Sequence, residues 1–185
     1  MKSGTSEVTP PERAARAARI RRATPADATV LSEMLGELAD DQGQRDSVAV
    51  TPERLHELLH RDDVIVLIAE RDYRPLGYVS AVRQLNIWAG AELVALDDLY
   101  VREEARNAGV GRELMLGLAA HADRTGAIVR WEAETGNAAA HRFYERLGAA
   151  LRTKVIAAWR PVDYRAALYA PVGEPALPLD QAGRS

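Results

Sequence analysis

Apolar positions along this chain keep two different rhythms. In "TPADATVLSEMLGELADD", Val30, Leu31, Met34, Leu35 and Leu38 recur at intervals of one helical turn. Thr24 stands ahead of them as an N-cap and Pro25 at the first helical position, which predicts a helix of about four turns. "TPERLHELLH" repeats this opening, with Thr51 as the cap of a second helix. The period then shortens. "VIVLIAE" is a continuous apolar run of strand length, "RDYRP" reads as a turn, and "LGYVSAVRQL" as the hairpin partner. "AELVALDDLYV" is a further long strand, and "ARIRRAT" a short one ahead of the first helix. Beyond these the pattern predicts a helix over 110–123, a strand in "AIVRWEA", a helix over 137–147, and strands near 151–159 and 163–170.

Hairpins in the first half and alternating elements in the second predict an α+β, or mixed α/β, domain around one mixed sheet. With 185 residues and 47% hydrophobic content, the chain can bury one substantial core and is short for two. The expected organisation is a flexible leader over 1–17, one domain over 18–170, and a flexible tail over 171–185, where prolines and glycines gather.

Composition removes several function classes. Cysteine is absent, so disulfides, thiolate metal sites and a cysteine nucleophile are excluded. No stretch approaches the roughly 20 apolar residues of a membrane span, and "MKSGTSEVTPPERAARAARIRR" has no apolar signal segment, so a cytoplasmic protein without a membrane partner is expected. A net charge of -3 disfavours nucleic acid as a partner. Acidic residues come in pairs, Asp40-Asp41, Asp62-Asp63 and Asp97-Asp98, which would suit a cationic ligand or simply solvate loop ends.

Two motifs suggest chemistry. Residues 56–60 spell "HELLH", the zinc-peptidase spacing with two histidines one turn apart. Its helix is short, no further ligand follows, and Leu55, Leu58 and Leu59 form the buried stripe, so an amphipathic surface helix is the favoured reading and no metal is expected. The second motif is "RNAGVG", residues 106–111, just ahead of an apolar stripe at Val110, Leu114, Met115, Leu118 and Ala122. Gly109 and Gly111 lack the Cβ that would hold a phosphate off the backbone, Asn107 tolerates a left-handed conformation, and Arg106 adds positive charge. Alone, the stretch is equally a glycine-rich turn that opens a helix. Further on, "N…FYERLGA" sets Asn137 as an N-cap and Tyr144 seven residues later on the same helix face, where either residue alone would be a cap and a core tyrosine.

Taken together, "LDDLYV", "RNAGVG" and "N…FYERLGA" resemble the GNAT superfamily of acetyl-CoA-dependent N-acetyltransferases, across about residues 18–170. The closest likeness is to the diamine and related small-amine branch. The resemblance implies a single domain whose central mixed, mostly antiparallel sheet is splayed, with helices on its faces. It implies that the backbone of Leu99, Tyr100 and Val101 pairs with the pantetheine arm of acetyl-CoA. Arg106, Asn107, Ala108, Gly109, Val110, Gly111 and Arg112 would cradle the pyrophosphate, Asn137 would touch the cofactor, and Tyr144 would sit beside the sulfur. Two positions depart from the family pattern: Asn107 replaces a common glycine, and Asp97 a common glutamate. A homodimer is a family-level expectation.

The chemistry expected is direct transfer of acetyl to a primary amine. Such an amine is protonated at neutral pH, so a carboxylate must take its proton, and Asp97 is the candidate base. A tyrosine hydroxyl can protonate the departing thiolate, and Tyr144 is the candidate donor. Asp40, Asp98 and Trp88 are candidate acceptor-binding residues, since acid and aromatic groups together suit a small cation such as a polyamine, an aminoglycoside or a basic amino acid. An aminoglycoside acceptor would connect the chain with antibiotic resistance. The alternatives are a protein or peptide N-acetyltransferase, a non-catalytic acyl-CoA sensor and the HELLH metallopeptidase.

Overall fold

Five strands join one sheet in their order along the chain: β1 (Arg19–Arg22), β2 (Val64–Arg71), β3 (Arg74–Asn86), β4 (Ala91–Val101) and β5 (Ile128–Arg130). The computed structural model describes residues 17–169. β1 to β4 are antiparallel to their neighbours, and only β4 and β5 run parallel. That last pairing covers Leu93–Ala95 alone, although β4 continues to Val101. The architecture is mixed α/β, mostly antiparallel, with the parallel pairing ending at Ala95.

Alternation along the strands assigns the two faces. Val66 and Ile68 of β2, Tyr78 of β3 and Tyr100 of β4 project to one side. There they meet Leu31 and Met34 of α1 (Ala28–Asp41), while Leu55 and Leu59 from α2 (Pro52–Leu58) and its C-cap close the cluster. Each such side chain contributes about 1.5–3 kcal/mol by leaving water. On the other side α3 (Val110–Asp123) crosses the sheet, and all five residues of its expected stripe are buried. Gly117 allows this approach: a Cβ there would come within 2.8 Å of the Ile20 side chain.

Charged groups anchor the short first strand. Arg21 donates to both oxygens of Asp27, at 2.9 and 2.7 Å, and to Glu70 at 2.7 Å. Asp27 also accepts from the backbone N–H and hydroxyl of Thr24, at 2.7 and 2.9 Å, closing the turn of 3-10 helix Pro25–Asp27 that precedes α1. The Arg21 guanidinium, opposed by burial and helped by Thr24, holds the Asp27 carboxyl down to about 2.

Packing divides the chain into two compact units, the first ending at Ala140 and the second beginning at His141. The second holds most of α4 (Ala138–Arg146), which closes at Gly148 in the left-handed region (φ 87°), and α5 (Pro161–Tyr169). Here the structure corrects the sequence reading. The strand expected near 151–159 is irregular, and the strand expected over 163–170 is helical as far as Tyr169. Pro161 presets the first helical turn, Arg160 donates to Asp163 at 2.9 Å across that turn, and Ala166 and Ala167 favour helix. Val155, Ile156 and Trp159 stay exposed, so this segment lacks the burial and ladder partners that stabilise strands. The expected strand in "AIVRWEA" is reduced to Ile128–Arg130. The expected leader and tail lie outside the described residues, apart from Ala17.

Candidate active site

The register between β3 and β4 slips in the middle of the hairpin. Ser80 faces Asp98 and Ala81 faces Leu96, which leaves Asp97 as the extra residue of a β-bulge. The slip falls just past Ala95, where β4 loses β5 as a neighbour. From Leu96 to Val101 the outer edge of β4 therefore has no strand partner among the described residues, and the N–H and C=O groups that alternate toward it are left to a ligand or solvent.

Past the end of this edge the chain makes a turn of 3-10 helix at Glu103–Ala105 and enters the glycine loop. Asn107 (φ 62°) adopts the left-handed conformation that its side chain tolerates, and so does Gly109 (φ 89°), the residue preceding α3. Val110, almost fully buried, pins the helix start. A first helical turn leaves its N–H groups without intrahelical acceptors and carries the positive end of the helix dipole. A Cβ at Gly109 would meet nothing within 4 Å, so the loop is open on that side. This is the geometry of an anion cradle at a helix N-terminus.

Arg106 is held from three directions. It donates to the Val101 carbonyl at 2.9 Å and to the Asp41 carboxylate at the end of α1, and it lies over the Tyr100 ring, 5.9 Å from the centroid. One turn earlier on α1, Glu37 accepts from Arg102 at 3.0 and 2.8 Å and from the Tyr100 hydroxyl at 3.1 Å. Burial, reinforced by Glu37, pushes that hydroxyl up to about 12. Two carboxylates on one face of α1 thus grip two arginines bracketing the entrance to the loop. The sequence reading missed Glu37; its visible signal is the four-residue spacing shared by Glu37/Asp41 and Arg102/Arg106.

The two aspartates of the bulge differ in surroundings. Asp97 is exposed and has no hydrogen-bond partner among the described residues. Asp98 is half-buried on the face packed by α1, accepts from the Ser80 hydroxyl at 3.2 Å, and donates its backbone N–H back to the same oxygen at 3.1 Å. Burial, with the charge of Asp97 assisting and Ser80 opposing, pushes the Asp98 carboxyl above the usual range. Tyr78, diagonal to Asp98 across the β3–β4 ladder and 1% exposed, keeps a buried hydroxyl with no partner among the described residues. Burial and then the charge of Asp98 raise it far above its ordinary value.

Other expected site residues lie elsewhere or carry different contacts. Asp40 is paired with Arg45 at 2.7 Å. Trp88 stands 99% exposed at the tip of the β3–β4 hairpin, ten residues before Asp98, and the fold does not bring it to the bulge. Arg112 is exposed in the first turn of α3. Asn137 caps α4, accepting from the Ala140 N–H at 3.0 Å. In the second unit, Tyr144 stacks at a tilt against Phe143, 5.3 Å between centroids, and burial pushes its hydroxyl above the ordinary value. His60 meets the His56 carbonyl at 2.9 Å through Nδ1, beyond the end of α2 at Leu58. No group of three or more metal-binding side chains forms among the described residues.

A profile of the acetyltransferase (GNAT) family matches residues 31–149, spanning α1, the bulge, the loop and α4. The chain belongs to the GNAT acetyltransferase family. Members use acetyl-CoA as the acyl donor, and this protein is an N-acetyltransferase. A search of curated proteins returned no match. Among solved structures, this GNAT protein resembles an aminoglycoside acetyltransferase from an uncultured soil metagenomic sample, at 18% identity and a TM-score of 0.67, over 78% of this chain and 97% of that one. An integron cassette protein from the mobile metagenome of V. cholerae matches at 22% and 0.68, over 83% and 99%. A ribosomal-protein-alanine N-acetyltransferase from Brucella melitensis biovar Abortus 2308 matches at 20% and 0.63, over 77% and 98%. At these identities the likeness concerns the fold. Among the described residues, no helix is long and apolar enough to cross a membrane.

Proposed function

We propose that this GNAT protein moves an acetyl group from acetyl-CoA directly to a primary amine of a small cationic acceptor, within a ternary complex. The observation that carries the reading is the bulge at Asp97, which sets two carboxylates beside the stretch of β4 edge that lacks a strand partner among the described residues. An acidic surface there favours an ammonium group, and the open edge offers backbone groups to an extended thioester arm.

In this reading the backbone of Leu99, Tyr100 and Val101 binds the pantetheine arm and polarises the thioester carbonyl. The loop from Arg106 to Gly111, with Arg112, holds the pyrophosphate, and Asn137 makes a further cofactor contact. One of the bulge carboxylates accepts the amine proton, and Tyr144, protonated at neutral pH, supplies the departing sulfur with one. Asp98 belongs to the acceptor wall. Asp40 and Trp88 would join it only with Arg45 displaced and the hairpin tip moved. The absence of cysteine supports direct transfer over a thioester enzyme intermediate.

The acceptor class comprises diamines, polyamines, basic amino acids and aminoglycosides, the last suggested by the metagenomic aminoglycoside acetyltransferase; an aminoglycoside acceptor would connect this chain with antibiotic resistance. A cytoplasmic homodimer fits the same reading. The alternative acceptor is a protein N-terminus, suggested by the Brucella relative. A free-thiol release assay with acetyl-CoA against spermidine, putrescine, kanamycin, lysine and alanine-terminated peptides separates them. Release with the small amines is expected, and release with peptides alone overturns the small-molecule reading.

A further inference from the structure

The guanidinium of Arg106 sits among groups that would hold any cation. It meets the Asp41 carboxylate, the Val101 carbonyl at 2.9 Å, and the face of the Tyr100 ring at 5.9 Å from its centroid. An ammonium group selects the same three kinds of partner. Asp41 is the last residue of α1, where the negative end of the helix dipole adds to its charge and no basic residue of the last turn answers it. Nearby acids have other cations: Asp40 pairs with Arg45, and Glu37 with Arg102. Among the described residues, Arg106 is the one positive partner of Asp41.

Two anions compete for that arginine. Arg106 opens the glycine loop, and a pyrophosphate cradled there carries more negative charge than one carboxylate. In the reading above, the pantetheine arm also takes up the backbone of Val101, whose carbonyl Arg106 now occupies. Arg106 is 42% exposed in its side chain, so it turns toward the phosphates without disturbing the core. Its departure uncovers the Asp41 carboxylate and the face of Tyr100 together. Tyr100 lies two residues beyond Asp98 on the same strand and the same face, a step of about 7 Å. A chain carrying two amino groups can therefore reach both the bulge and Asp41.

We propose that Asp41, with the face of Tyr100, binds the distal ammonium of a diamine or polyamine acceptor once the cofactor has drawn Arg106 away. The proposal rests on the acetyl-transfer reading and names a specificity determinant within it. One cation replaces another on Asp41, and no covalent bond changes in the exchange. The exchange couples the two substrates, so each tightens the other by the same factor. A half-exposed ion pair sets that factor at about 5-fold. An acceptor with a single amino group places it at the bulge and gains nothing from Asp41, which favours putrescine over butylamine.

The test is calorimetric titration of spermidine into the full chain with and without saturating coenzyme A, beside steady-state thiol release with putrescine and with butylamine. Coenzyme A is expected to tighten spermidine about 5-fold in wild type and not in Asp41→Asn. General attraction between a polycation and the cofactor phosphates would survive in that variant, which separates the two effects. Arg106→Gln opens the site in advance and should bind spermidine alone as tightly as wild type does with coenzyme A. Asp41→Asn should also raise the ratio of the putrescine KM to the butylamine KM about 5-fold. Wild-type spermidine binding that is indifferent to coenzyme A overturns the proposal, as does equal tightening in Asp41→Asn or an unmoved KM ratio. Each of those outcomes leaves acetyl transfer standing, whereas wild-type protein that neither binds coenzyme A nor releases thiol with any amine or peptide sinks the acetyl-transfer reading itself.

Discussion

Arg106, at the mouth of the glycine loop, is bound to Asp41 at the C-terminal end of α1. The arginine expected to meet a phosphate thus already has an anionic partner, and the two share a surface about half open to water. Such pairs contribute up to about 1 kcal/mol. Asp41→Asn should therefore release the guanidinium and lower the Kd for coenzyme A by up to about 5-fold. Calorimetric titration checks this. A weaker affinity in the variant would instead mean that Asp41 holds Arg106 in its working position.

Glu37 joins α1 to β4 through Arg102 and Tyr100. Glu37→Gln keeps the size but loses the charge behind a two-pronged contact, and should cost about 1–2 kcal/mol. Urea denaturation at neutral pH measures it, with an unchanged slope expected because the exposed surface on unfolding is the same. A loss below a few tenths of a kcal/mol would show that the contact does not hold the helix.

Acid should loosen the first strand through Asp27. Its carboxyl is depressed to about 2 in the folded protein, against an ordinary value near 4. A depressed carboxyl stabilises the fold above the ordinary value and loses that contribution as pH falls toward 2. The stability difference between wild type and Asp27→Asn, about 2 kcal/mol at pH 7 on the scale of a charged hydrogen bond, should shrink between pH 4 and 2. Denaturation midpoints at several pH values test the sign.

Burial raises the Tyr144 hydroxyl above its ordinary value. If it serves the departing thiolate, Tyr144→Phe should lower kcat about 10- to 100-fold and leave the KM for acetyl-CoA nearly unchanged. Steady-state thiol release provides both constants. Equal kcat in the variant would remove Tyr144 from the chemistry.

Local signals carried most of the fold. The apolar spacing behind Thr24-Pro25, the alternation in β2 to β4 and the stripe from Val110 to Ala122 are short-range properties, and each became the expected element. Asn107 took up the left-handed conformation because its own side chain allows it. The apolar run after Leu151 misled, since Val155 and Ile156 favour strands only when a ladder and a buried face are available. Neither is present there among the described residues.

The sequence by itself determined the family and the residue types that could carry the chemistry: "LDDLYV", "RNAGVG" and "N…FYERLGA" at their spacing. It named Asp97 as the candidate base and Asp98 as an acceptor contact, but adjacent letters say nothing about which one a bulge leaves in solvent. That choice depends on the register with β3, where Ser80 comes to face Asp98 through pairing between residues eighteen positions apart. The grip of Glu37 and Asp41 on Arg102 and Arg106 has the same origin. Only packing α1 against β4 brings those charges together, so burial and partner, not residue type, settle what each carboxylate can do.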